Sequence, residues 1–332
     1  MTRFLDAYGI RSATQVRRDL ATMVRGAVSG TGYSASPSTL GLFRPELSLP
    51  AYAGQYPSDR TAPIFNHFDR VGGGKGFEGR TSRDTARDYR GGRLSYDQHD
   101  GTDFVCPPGT PLVAAAPGVA VAVRDTWLRG GITLCLDHGH GVITQYTHLS
   151  RVVVTLGQFV QRGEVVARSG VGGVDMLMGA PWVPPHVHFM VWVDGVPVDP
   201  YLADAEPERN GVWVHRNDPR SVEQPLDTDR SDLSLANLDS LVDLRALERA
   251  LDGCTSPRIR DEILRNGSPA GRLAIVEDSV HHDRFAWAEW VSSMVQQKEL
   301  RMIDDGQVRL TLPLTHERYA RAVAADSRWT RP

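Results

Sequence analysis

The sequence predicts a β-rich central domain, an antiparallel, two-layer unit with a groove across one face, flanked by an amino-terminal helix with its linker and by a small helical domain at the carboxyl end. Three observations predict it. Segments rich in β-branched residues recur at short intervals between residues 112 and 193. Asp194-Gly195 follows the last of them, and Asp-Gly is a strong two-residue hairpin signal. Beyond these, Leu238, Leu241, Leu244, Leu247 and Leu251 repeat at helical spacing.

In chain order, Phe4, Tyr8, Val16, Leu20, Met23, Val24 and Val28 are spaced for one face of a helix over residues 3–28, with Arg17, Arg18 and Arg25 alongside. A helix docked on the neighbouring domain is favoured over an interfacial membrane helix. Residues 29–58 are rich in Gly, Ser, Pro and Tyr and read as a linker, which closes a first region of 1–58. The β-rich unit follows as 59–204, with strands expected over 112–123, 132–137, 142–148, 152–156 and 188–193. An acidic, proline-containing stretch makes 205–235 a second linker. In the accessory region, 236–332, helices are expected over 237–251, 257–264 and 282–295, and a hairpin over 300–310 turning at Asp305-Gly306. Helices followed by a hairpin allow a winged-helix-like module. The net acidic balance argues against DNA, leaving a protein partner or a cover for the groove.

Composition narrows the function classes. At 332 residues the chain is longer than one small core requires. A net charge of −3 gives no global field for nucleic acid or anionic membrane. Lysine is confined to Lys75 and Lys298, so the 157–166 turn, which is similar to lipoyl and biotinyl carriers, has no residue to carry such a cofactor. The three cysteines, Cys106, Cys135 and Cys254, are odd in number and widely spaced, which predicts buried reduced thiols. No segment is apolar enough to span a bilayer, and the first residues lack a signal-peptide pattern. That favours a soluble, cytoplasmic protein unless it leaves by a non-classical route or by lysis.

The chemistry concentrates in the middle third. His99 and Asp103, His148, and His186 with His188 are spaced as a mononuclear zinc hydrolase would need them. Residues two or four apart on a strand share a face, so His99 with Asp103, and His186 with His188, would each present two groups to one surface. Three N/O ligands leave zinc an open position, the mark of a catalytic site. Singly, each pattern has an ordinary explanation: a polar pair on a half-exposed strand, a chance His-x-x-x-Asp, an aromatic plug at a strand end. Their joint order and the glycine and proline punctuation between them favour a metal site. Of the other histidines, His138 and His140 read as a turn, His281-His282-Asp283 as a polar helix start, and His67, His215 and His316 as unpartnered by spacing. His67 stands out because residues 66–70 would occupy the first strand near the groove in the family resembled below.

The run from about residue 60 to 204 resembles the lysostaphin/LytM-type zinc endopeptidases, which mostly cut peptide cross-links of bacterial cell walls. The resemblance is carried by His99-x-x-x-Asp103, Tyr146-x-His148-Leu149 and His186-x-His188 in that order. The Asp103 to Leu112 stretch, the Gly157 to Val166 turn and Val198-Asp199-Pro200-Tyr201-Leu202 fit the same family. It implies one zinc ion held by His99, Asp103 and His188, with His148 and His186 as the assisting catalytic histidines. One would act as general base and the other would donate to the oxyanion. His186 is favoured as base and His148 as donor, although spacing does not separate them. The implied substrate is a peptide or a peptidoglycan stem peptide. A peptidase on a non-wall substrate and an idle, binding relative are the alternatives. Two loops depart from the family pattern, Gly72 to Gly92 and Gly170 to Pro185, and so does Met190, where many relatives have Glu. These would reshape the groove walls and leave the metal set intact.

Overall fold

In the computed structural model, residues 4–8, 10, 12–14, 17, 43–67, 99–126, 130–173, 176, 179–201, 212–283, 286–302 and 306–325 are described. Most of the expected 3–28 helix and the whole 72–92 loop lie outside these residues. The scaffold is a sheet built from β1 (Thr61–Asn66), β2 (Thr102–Val105), β3 (Pro111–Val113), β4 (Gly118–Thr126), β5 (Gly131–Asp137), β6 (Val142–Val152), β7 (Phe159–Val160), β8 (Val165–Ser169), β9 (His186–Val193), β10 (Val196–Val198) and β11 (Arg321–Ala324). Its main path runs β11-β1-β2-β9-β6-β5-β4-β7, with β10 paired to β9 and a β3–β8 ladder attached to β6. The pairings are antiparallel except for β1 with β11. Asp194 and Gly195 take φ of 54° and 78°, the left-handed pair that a tight β9–β10 hairpin needs. The expected 152–156 strand is not separate, because Val152 ends β6 and the chain then bends toward Gly157.

Period-two alternation sorts the sheet into two faces. Val187, Phe189 and Val191 of β9 pack with Phe104, Leu134, Leu136 and Tyr146, and this core is covered by Leu112, Val166, Trp213, Leu312 and Tyr319. On the opposite face, Met190 and Trp192 join Val121, Cys135 and Ile143 beneath a layer of helices. His186 and His188 share that second parity. One face of β9 therefore carries chemistry at one end and an apolar contact at the other. The cysteines are free and buried, and burial pushes the Cys106 and Cys135 thiols up to about 12.

Near the amino end lie α1 (Phe4–Ala7) and α2 (Pro45–Tyr52). The helical layer comprises α3 (Leu235–Ser240), α4 (Leu244–Asp252), α5 (Pro257–Arg265), α6 (Pro269–His282) and α7 (Glu289–Gln296). The leucine repeat expected as one helix is two, because the Asp243 side chain accepts from the Ala246 N–H and starts a new helix there. Ser256-Pro257 and Ser268-Pro269 open α5 and α6 with a hydroxyl cap and a proline in the first turn. His281 and His282 end a helix where a helix start was expected, and α7 begins only at Glu289. Of the expected 300–310 hairpin, residues 303–305, which include the turn residue Asp305, lie outside the described residues. Arg301 bridges to Val242 and Leu310 to Trp213, so the strand-forming groups of the would-be wing pair elsewhere. Arg124, buried on β4, ties the layers by bonding Glu262 of α5 through Nε at 2.7 Å and Asp278 of α6 through Nη1.

Candidate metal centre

Strand register brings the first two groups together. Asp103 on β2 sits directly opposite His188 on β9, and Val105 opposite His186. Directly opposed residues share a face, and His188 Nδ1 lies 2.8 Å from Asp103 Oδ1. His99 arrives by another route than strand alternation. β2 begins only at Thr102, so His99 reaches in from the preceding loop, with Nε2 at 3.0 Å from Asp103 Oδ2 and 3.1 Å from His188 Nδ1. Gly101 permits this approach, since a Cβ there would lie 2.8 Å from both the His188 ring and the Phe189 carbonyl oxygen.

The donor set suits a divalent cation. His99, Asp103 and His188 offer ligand atoms within 4.8 Å of one another. The second nitrogen of each ring is also engaged: His99 Nδ1 lies 2.9 Å from the His67 carbonyl oxygen, and His188 Nε2 lies 3.1 Å from Asp100 Oδ1. Such outer partners fix ring orientation and tautomer at metal sites. Burial alone would raise the Asp103 pKa, but His186 and His99 more than offset it and hold the carboxyl well below its usual range. Asp103 is therefore an anion poised to meet a cation.

His148 reaches the centre through a bulge. Simple alternation would send it into the core beside Tyr146, yet the β5–β6 register shifts between Ile132 and Leu134, and His148 takes φ of 61°. A bulge of this kind flips a side chain to the other face. Its ring then lies 4.8 Å from that of His186, centroid to centroid. Nδ1 of His148 lies 2.7 Å from the Gly172 carbonyl oxygen, and Nδ1 of His186 lies 2.7 Å from that of Pro184. Each Nδ1–H donates to its carbonyl, which leaves Nε2 of both rings with its lone pair. Burial lowers the pKa of both residues and keeps the imidazoles neutral. For His186, Asp103 works against that shift, with its Oδ1 3.5 Å from Nε2.

Both carbonyls belong to the long 170–185 loop, where Val174, Asp175, Leu177 and Met178 lie outside the described residues. The amino-terminal elements brace this loop. Val171 N–H donates to the Ala7 carbonyl at 2.6 Å, Arg44 N–H to that of Trp182 at 2.8 Å, and Ser48 Oγ to that of Val183 at 3.2 Å.

Sequence reasoning missed Asp100 and the proximity of His281 and His282, whose Nε2 atoms lie 3.2 Å and 2.7 Å from Asp100 Oδ2. The adjacent histidines and the aspartate beside His99 were visible, but nothing local joins positions so far apart in the chain. His67 enters through its backbone carbonyl. His138 instead sits in the core between the Pro117 carbonyl and Thr144, and His140 meets Arg230.

Residues 97–200 match Peptidase family M23. The peptidoglycan DD-endopeptidase ShyB of Vibrio cholerae is 38% identical over 106 residues, 32% of this chain and 23% of that protein. The DD-carboxypeptidase/endopeptidase Mpg of Neisseria meningitidis is 34% identical over 102 residues, 31% of this chain and 22% of that one. The chain thus spans less than a quarter of the length of these two relatives. A solved zinc-containing peptidase from Vibrio cholerae aligns at 30% identity and a TM-score of 0.32, over 43% of this chain and 37% of that one. His99, Asp103, His148, His186 and His188 all lie inside the span, residues 97–200, that matches Peptidase family M23.

Proposed function

We propose that this chain is a zinc-dependent endopeptidase that hydrolyses peptide bonds in peptidoglycan cross-links, with His99, Asp103 and His188 as metal ligands and His148 and His186 as proton-handling groups. The observation that carries the reading is the meeting of two imidazoles and a carboxylate beside two further rings with free Nε2 lone pairs. The relatives named as DD-endopeptidases support the substrate class.

A divalent cation, when bound, supplies Lewis acidity to the scissile carbonyl and makes water more acidic. The chain's own groups do the rest. His186 is the better base, because the Asp103 carboxylate 3.5 Å from its Nε2 stabilises a proton taken up there. That proton comes from the attacking water and is then passed to the leaving amine nitrogen. His148, neutral with its Nδ1–H committed to Gly172, offers only a lone pair at Nε2, so it accepts a hydrogen bond or a proton from water rather than donating to a developing oxyanion. The Pro184 and Gly172 carbonyls orient the two rings. The 170–185 loop thereby doubles as groove wall and as the support for both rings.

The test is metal analysis of the purified chain together with digestion of purified peptidoglycan sacculi. Bound zinc and release of cross-link-cleaved muropeptides are expected. Cleavage of model peptides with sacculi left intact would move the substrate away from the wall. Bound zinc with neither cleaved would assign a binding role instead.

A further inference from the structure

We propose that Asp100, His281 and His282 form a second divalent-cation site, which fastens the helical layer to the loop that carries His99. Asp100 Oδ2 lies 2.7 Å from His282 Nε2 and 3.2 Å from His281 Nε2, and the three ligand atoms fall within 4.8 Å of one another. This donor set of two imidazoles and one carboxylate repeats that of the first centre, where the corresponding imidazole–carboxylate separations are 2.8 and 3.0 Å.

Supporting groups hold the ligands in place. His282 Nδ1 lies 2.7 Å from Asp278 Oδ1, and Asp278 is itself held by Gln145 Nε2 at 3.0 Å and by Arg124. A carboxylate behind an imidazole, aiming its other nitrogen at the ion, is the usual outer arrangement of metal-binding histidines. Trp192 packs edge-on against both rings, with centroids 5.5 Å and 5.7 Å away. Successive residues on a helix diverge by about 100°, so two neighbouring imidazoles reaching one oxygen need a special setting. The last turn of α6, ending over Trp192, provides it. The His281 side chain is 33% exposed, which leaves a route for the ion.

The site is distinct from the first centre. Asp100 turns its other oxygen to His188 Nε2, so an imidazole and a carboxylate stand between the two positions. That exceeds the roughly 3.5–4 Å separation of paired catalytic metals, and the second ion's work is structural. The inference does not depend on the catalytic reading.

The full chain is stripped with a chelator, reloaded with zinc, desalted and assayed for bound metal by mass spectrometry, with circular dichroism to verify folding. Wild type should hold two equivalents per chain. Asp103→Ala, His281→Gln and the double variant His281→Ala/His282→Ala should each hold one. Asp103→Ala isolates the second site, so a failure of the first centre is read separately from a failure of this one. His281→Gln keeps a polar group at a partly exposed position, which guards against a variant that merely misfolds. A wild type with one equivalent, fully lost in Asp103→Ala and retained in His281→Gln, would overturn the proposal. So would two equivalents that neither histidine variant reduces.

Discussion

The β9 face that presents His186 and His188 continues, two residues at a time, into Met190 and Trp192. At the first end, side chains are polar, mutually bonded and backed by loop carbonyls. At the second, helices α4 to α7 seal the strand under Leu247, Ile263, Val276 and Val291. The alternation is the same throughout, so residue type decides which end is covered. Apolar groups recruit a layer that removes them from water. Imidazoles held by carboxylates and carbonyls have their partners already and leave the face available for a ligand. Asp100 and Asp278 mark the border, each bonded to His282.

The largest expected effect breaks the polar end. His188→Ala should lose the metal of the first centre and with it turnover, whereas His186→Ala should keep that metal and reduce turnover by roughly 10²–10⁴. Metal analysis alongside kinetics on a cross-linked muropeptide checks both, and equal metal loss in the two variants would contradict the division of roles.

Next comes the covered end. Arg124 is 2% exposed and bonded to carboxylates of both α5 and α6. Arg124→Ala leaves those carboxylates without their cation and should cost about 3–5 kcal/mol in urea unfolding. A loss under about 1 kcal/mol would mean that apolar contact alone holds the helices.

A smaller effect sharpens the contrast between histidines with and without an anionic partner. Burial pushes the His138 pKa down to about 4, and its ring nitrogens meet only a carbonyl and a hydroxyl. The unfolded chain takes up this proton from about pH 6.5, but the native chain does so only near pH 4. The unfolded state binds more protons across that window, so the contribution is full above pH 6.5 and is lost as pH falls toward 4. Its size is roughly 3 kcal/mol. His138→Gln should flatten the acid limb of the stability–pH profile by about that amount, measured by denaturant unfolding at several pH values.

What the sequence made legible was local. Alternating Val and Ile marked the strands, Asp194-Gly195 marked the hairpin, and the two-residue interval placed His186 with His188. His148 shows where period two stops working, because only the bulge turns it from the Tyr146 side to the side of His186 and His188. His99 was matched to Asp103 on strand geometry, but a loop crossing at Gly101 brings it there. The break at Asp243 was overrun because the leucines kept their spacing across it. Long-range pairing left the least trace: Asp100 with His282, Arg301 with Val242, and Leu310 with Trp213 join segments with no shared local pattern.

The parallel pairing of β11 with β1 has a kinetic consequence. These strands come from opposite ends of the described chain, with Thr61 beside Arg321 and Ile64 beside Ala324. Contacts between such distant segments carry a large loop-closure cost and slow folding. During synthesis the edge of β1 stays open until the segment carrying β11 has left the ribosome, so its outer backbone groups are exposed to other chains throughout that interval.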